Sequence, residues 1–220
     1  MSIVLTKSFK EPPFCKKEIL RYAGCKTIDS NIEELLNSCI KEAEKRFTYK
    51  VCYTQLDLNI SDDVCDFGLF SVKSEGLAAN LRNCKKAILC GATVGVEIDR
   101  FISKYSRISP SKAIMFQAIG TERIEKLCDA FCDDFEKENG VFLKPRFSPG
   151  YSDLSLTTQK ELFRILDCPK NIGVSLSDNM LMSPSKAVTF FCGITDSTDK
   201  VVLNKCSHCS KHDCQFRGKI

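Results

Sequence analysis

The run Val51-Cys52-Tyr53-Thr54-Gln55-Leu56-Asp57-Leu58-Asn59-Ile60 leads into Ser61-Asp62-Asp63 and then into residues 64–72. Val51, Tyr53 and Gln55 alternate with Cys52 and Thr54, and Leu56, Leu58 and Ile60 keep the period of two. That period marks a strand with two faces, and Ser-Asp-Asp is turn chemistry, so residues 64–72 are expected to fold back as a return strand. On the N-terminal side of this hairpin the period changes. Ile32, Leu35, Leu36, Cys39, Ile40, Ala43 and Phe47 recur at helical intervals and predict a helix over 30–47, opened by a Ser30/Glu33 capping box.

On the C-terminal side a short helix is expected near 75–83, a buried strand over 87–94 and a helix over 96–105. Ser109-Pro110 starts the longest helix, which runs to about residue 138 and stops at Asn139-Gly140. Ile124, Leu127, Cys128, Phe131 and Phe135 lie on its apolar face, and Gly120 marks a kink or a close approach within it. After a short strand at 141–143, Thr158 and Glu161 cap a helix that Cys168-Pro169 ends. Residues 172–176 and 187–194 read as a strand meander, followed by Val201-Val202-Leu203. Strands in hairpin-like pairs with helices clustered mid-chain predict an α+β fold, a largely antiparallel sheet with helices packed on it. The expected division is an N-terminal α/β lobe over 1–80, a core over 81–203 and a cysteine-rich tail over 204–220.

Composition sets bounds on function. With 220 residues, 43% hydrophobic and 27% charged, the chain can bury a real core and is not a disordered polymer. Its 32 basic and 28 acidic residues are interleaved and leave a formal charge of only +4, so no nucleic-acid partner is expected. Ile3-Val4-Leu5 is too short for a signal core, and no stretch approaches the roughly 20 apolar residues of a membrane span. A cytoplasmic protein without a membrane partner is the expectation. His208 and His212 are the chain's two histidines, both in the tail, so histidine acid–base chemistry is not expected. Most of the 14 cysteines, among them Cys39, Cys90, Cys128, Cys132 and Cys192, fall in apolar segments and read as small core hydrophobes.

Arg146-Phe147-Ser148-Pro149-Gly150-Tyr151 is the segment that speaks most directly to function. A guanidinium grips a carboxylate through parallel hydrogen bonds. Pro149 fixes one backbone angle, Gly150 permits a tight or left-handed turn, and Tyr151 adds an aromatic edge with a polar tip. The pattern suits an amino-acid-like ligand, and by itself it also suits an ordinary surface loop.

Its surroundings narrow the choice. Arg146 to Tyr151, the capped helix behind it and Met180-Leu181-Met182-Ser183-Pro184-Ser185-Lys186-Ala187-Val188 stand in the order and spacing of one family. With Ala92-Thr93-Val94-Gly95, Ser111-Lys112-Ala113-Ile114-Met115 and Asp129-Ala130-Phe131 upstream, residues 85–195 resemble the activation domain of cobalamin-dependent methionine synthase. The resemblance implies S-adenosylmethionine in a shallow groove beside an antiparallel sheet. Arg146 would hold the methionyl carboxylate within the Pro149-Gly150 bend, and Tyr151 would line the pocket. The main chain near Asp153 would meet the adenine, and Asp129 would face the ammonium and sulfonium. Asp129 also fits a solvated helix face with Glu122 and Asp133. The chain departs from the family in the compressed stretch between Asn139 and Arg146. Cys192 stands where an aromatic residue frames the adenine, and no acidic residue of Lys10 to Phe14 clearly matches the family's N-terminal arm.

The implied activity is that of a methyltransferase component. It is reductive methylation of cobalamin carried by the cobalamin-binding module of a separate methionine synthase, with an electron donor such as a flavodoxin-like protein. The cobalt would be the nucleophile, so no side-chain base is implied. Cys206-x-x-Cys209-x-x-x-x-Cys214 is a separate signal that suits zinc, an iron–sulfur cluster or reduced thiols. An adapter that docks a corrinoid protein or passes electrons through such a tail site is the alternative reading.

Overall fold

The computed structural model describes residues 3–25 and 27–196. In chain order the elements are β1 (Leu5–Phe9), α1 (Lys16–Tyr22), α2 (Ser30–Ala43), β2 (Tyr49–Asp57), β3 (Asn59–Ser61), β4 (Val64–Asp66), β5 (Ser71–Lys73) and α3 (Glu75–Asn80). There follow β6 (Lys86–Thr93), α4 (Glu97–Ile108), α5 (Pro110–Asn139), β7 (Phe142–Leu143), α6 (Gln159–Leu166), α7 (Cys168–Ile172), β8 (Ser175–Leu176), β9 (Met182–Ser183) and β10 (Ala187–Thr195). The main sheet has the order β1-β2-β6-β10-β7 with every neighbour antiparallel, as the α+β reading requires. Residues from the first 80 enter it directly, since β2 pairs with β6 from Lys50↔Thr93 to Asp57↔Lys86.

Both faces of this sheet are covered, and the period of two sorts its side chains between two cores. Ile88, Cys90 and Ala92 of β6 join Phe190 and Cys192 of β10 under α1, α2, α4 and α5. Ala87 and Leu89 join Cys52 and Phe191 on the opposite face, under α3, α6 and α7. Burial on both sides is why residues 87–94 read as one apolar run. Cys39, Cys90, Cys128 and Cys192 sit in the first core as small hydrophobes, with Cys132 half-buried beside them.

Helix α5 carries the site. Pro110 occupies its first turn and Gly140 closes it in the left-handed conformation at φ +65°. At 30 residues it is roughly 45 Å long. Gly120 is a close approach, because a Cβ there would lie 2.6 Å from Ile98 Cγ1 and 2.9 Å from Lys186 Cγ. The helix stays α-helical through it. One turn later Glu122 and Arg123 are sealed from solvent. Arg123 donates to the carbonyls of Pro12 and Pro13 as well as to Glu122, and Glu122 accepts from the backbone of Cys15 at 3.1 Å. The pair thereby straps residues 12–15 onto α5.

Several local expectations are corrected. The α2 cap is Asp29, which accepts from the Ile32 amide at 2.8 Å and stands one residue ahead of Ser30. That helix ends at Ala43 because Glu44 turns extended and Lys45 takes φ +61°. The return strand is split into β4 and β5, where Asp66 accepts from Gly68 N and Ser71 Oγ and closes a turn; with β3 they form a separate small sheet. Ser155, ahead of Thr158, accepts from the backbone where a 3-10 turn leads into α6. Cys168-Pro169 closes α6 and also opens α7. Residues 172–176 and 187–194 are not a meander: β8 pairs with β9, and β10 lies between β6 and β7.

Candidate functional site

Beyond β7 the chain keeps to the edge of β10. Lys144 N donates to Gly193 O at 2.8 Å, and Phe147 and Phe191 exchange backbone hydrogen bonds at 2.9 and 2.8 Å. This register sends Phe147 to the α6 face of the sheet and Arg146 to the α5 face. There Arg146 Nη1 donates to Asp129 Oδ1 and Nη2 to Glu125 Oε2, each at 2.7 Å. Its guanidinium lies 5.9 Å from the Phe190 ring centroid. The arginine side chain is 15% exposed, whereas Glu125 is 46% and Asp129 52% exposed, so a partly buried cation presents two more open carboxylates. Burial opposes the Arg146 charge, but Cys128, Asp129 and Glu125 outweigh it and hold its pKa above the ordinary value.

Pro149 and Gly150 build the expected bend. Gly150 takes φ +89°, its amide donates to Leu154 O at 2.8 Å, and Tyr151 N donates to Ser148 O at 3.0 Å. Tyr151 projects half-exposed, 6.0 Å from the Phe147 ring. Its hydroxyl is held above the usual range by burial and then by the Glu125 charge; Tyr22 of α1 is raised for the same two reasons. Asp153 is committed elsewhere. Its carboxylate accepts from Ser74 Oγ at 2.7 Å, Glu75 N at 2.7 Å and Gly76 N at 3.1 Å, at the start of α3.

Arg146, Asp129, Pro149, Gly150 and Tyr151 therefore converge, and Asp153 closes the far end of the same loop through its side chain. Asp129 shares no solvated face with Glu122, which is buried against Arg123. Cys192 lies fully buried against α5, on the opposite side of β10 from Phe191. Glu11 of the arm accepts from Tyr49 Oη at 3.1 Å and Lys45 N at 3.0 Å. Sequence reasoning missed Glu125. It was within reach, because Glu125 stands four residues before Asp129 and so shares its helix face.

The arrangement complements an amino-acid zwitterion. A guanidinium has five N–H donors, of which two go to these carboxylates. A ligand carboxylate can take up others while its ammonium meets Asp129 or Glu125. Cys206, Cys209 and Cys214 lie outside the described residues. Among the described residues no group of three or more His, Cys, Asp or Glu is placed to hold a metal. Nor, among them, is any helix long and apolar enough to cross a membrane.

Comparison with known proteins bears on this geometry in two ways. A solved structure, the MetH reactivation domain bound to AdoHcy, matches with a TM-score of 0.65 at 12% identity, covering 89% of this chain and 79% of that one. At that identity the match speaks for the fold alone. No curated protein matches. The profile of the family described as "Vitamin B12 dependent methionine synthase, activation domain" matches residues 91–215, which take in the end of β6, α5, the Arg146 loop and β10. By that match the chain belongs to the family of vitamin B12 dependent methionine synthase activation domains.

Proposed function

We propose that the chain binds S-adenosylmethionine at the Arg146 groove and supports reductive methylation of inactive cobalamin held by a separate methionine synthase. The observation that carries this reading is the Arg146–Asp129–Glu125 cluster, a partly buried cation fronted by two exposed carboxylates in a chain of the activation-domain family. The fold partner's bound AdoHcy supports the same class of ligand.

Each residue has a binding or positioning task. Arg146 takes the methionyl carboxylate. Asp129 and Glu125 attract the ammonium and the sulfonium, both positive, at an exposed mouth where solvent screens them only in part. The Pro149-Gly150 bend fixes main-chain groups against the nucleoside, and Tyr151 flanks it. The Asp153 contacts with Ser74, Glu75 and Gly76 keep the loop end in place. Cobalamin, when the partner brings it, supplies the reduced cobalt that accepts the methyl group as the carbon–sulfur bond breaks. What this chain contributes to rate is alignment, and no side-chain base takes part.

The test has two stages. Calorimetry should show micromolar S-adenosylmethionine binding that Arg146→Ala weakens roughly 100-fold. A reactivation assay would then combine the protein, a cobalamin-loaded synthase lacking its activation domain, a flavodoxin-like donor and methyl-labelled S-adenosylmethionine. Label reaching cobalt only when the protein is present supports the reading. No binding at all would sink it.

A further inference from the structure

We infer that Ser74 and Gly76 are positioning residues for the adenosyl half of the ligand, acting through Asp153 on the Pro149-Gly150 bend; this rests on reading the Arg146 groove as an S-adenosylmethionine site. Both residues precede 91–215, the stretch that the family profile matches, so the site draws on chain outside that match. Ser74 is an anchor fixed from three directions. It is buried, its amide donates to Asp63 O at 2.8 Å, and its hydroxyl accepts from Leu77 N at 3.1 Å while donating to Asp153 Oδ1 at 2.7 Å. Asp153 is exposed and takes further bonds from the Glu75 and Gly76 amides. A carboxylate on an open loop is thereby tied to a sealed hydroxyl 79 positions earlier.

Gly76 is what lets the loop come so close. A Cβ there would lie 2.9 Å from Ser152 Oγ, 3.0 Å from Ser152 Cβ and 3.0 Å from Asp153 Oδ1. From Asp153 the constraint runs back along the main chain. Leu154 is buried in the second core, its amide donates to Tyr151 O at 3.0 Å, and its carbonyl accepts from Gly150 N at 2.8 Å. Ser152 holds φ +50°, a conformation that a residue with a side chain keeps only where its surroundings impose it. Displacing Asp153 therefore displaces the amides and carbonyls of 150–154 that face the nucleoside. Arg146 is held separately, by Asp129 and Glu125 of α5. The two ends of the ligand thus have different supports, α5 for the amino-acid end and the start of α3 for the adenosyl end. Such a latch acts alike on S-adenosylmethionine and S-adenosylhomocysteine, because both carry the adenosyl group.

The experiment titrates both ligands into the full chain by calorimetry, at a temperature where circular dichroism shows every variant folded, and follows amide hydrogen exchange of the ligand-free proteins. Gly76→Ala should weaken both ligands several-fold by the same factor and speed exchange at the Gly150, Tyr151 and Leu154 amides. Ser74→Ala should do the same. Adding Ser152→Gly to Gly76→Ala removes two of the three crowding atoms and suits the positive φ. It should restore most of the affinity, a repair that a general loss of stability would not allow. Wild-type affinity in Gly76→Ala, or a loss that Ser152→Gly leaves in place, would overturn the latch; the reading of the groove would still stand if the wild type binds and Arg146→Ala weakens it. A wild type that binds neither ligand would overturn both.

Discussion

The Arg123 guanidinium lies 4.0 Å from the Phe14 ring centroid, and the same group holds the carbonyls of Pro12 and Pro13 while paired with Glu122. Arg123 is wholly inaccessible, so removing it leaves a buried, unpaired Glu122. Arg123→Met should therefore cost about 3 kcal/mol of stability, measured by urea unfolding. Adding Glu122→Gln should recover part of the loss. A cost below about 1 kcal/mol would mean the strap contributes little.

Arg146→Ala should weaken S-adenosylmethionine binding roughly 100-fold, the loss expected when a charge-assisted carboxylate contact of about 3 kcal/mol disappears. Arg146→Lys should fall between, because an ammonium keeps the charge and loses the planar fork. Equal binding by the lysine variant and the wild type would argue that the arginine acts as a bare charge.

Asp129→Asn tests which charge that carboxylate meets. If it faces the sulfonium, the substitution should narrow the preference for S-adenosylmethionine over S-adenosylhomocysteine, whose sulfur is neutral. Calorimetric titration of both ligands gives the ratio. An unchanged ratio, with both affinities lowered alike, would assign Asp129 to the ammonium alone.

Gly120→Ala sets two effects against each other. Alanine favours helix by roughly 1 kcal/mol over glycine, but the new Cβ would stand 2.6 Å from Ile98 Cγ1. Overpacking costs about 1–3 kcal/mol, so sterics should win and thermal stability should fall. A rise in Tm would show that α4 moves aside freely.

Asp153 caps α3 from a distant loop. Burial raises its pKa, the Ser74 hydroxyl and the Gly76 and Glu75 amides lower it, and the net shift is downward from 3.8. A carboxylate with a depressed folded pKa contributes stability that is fully present above its unfolded pKa and is lost as pH falls through the folded one. The wild type should thus lose this contribution only in strong acid, below pH 3.8. Asp153→Asn should lose about 1 kcal/mol at neutral pH, as other cap removals do. Denaturation midpoints at pH 7 and in acid should converge for the two proteins.

How much of this was readable beforehand follows from the range of each interaction. Strand 86–93 and helix 110–139 were legible because burial and period are local. The Pro149-Gly150 bend was legible because turn chemistry sits in adjacent residues. The Arg146–Asp129 meeting was reached only through family resemblance, since 17 positions separate them. Strand β1 and helix α1 escaped notice, because short segments carry too few periods to register. Ser30 was preferred to Asp29 as a cap because the box pattern fits two adjacent frames and only backbone angles decide between them.

The β2–β6 ladder has a practical outcome for anyone who would trim the chain to the stretch resembling its relatives. A fragment starting at residue 81 would lose β1 and β2 and turn β6 from an inner strand into an edge, an eight-residue ledge of amides and carbonyls that β2 had met. Such a piece would sooner stick to its own copies than bind a nucleotide.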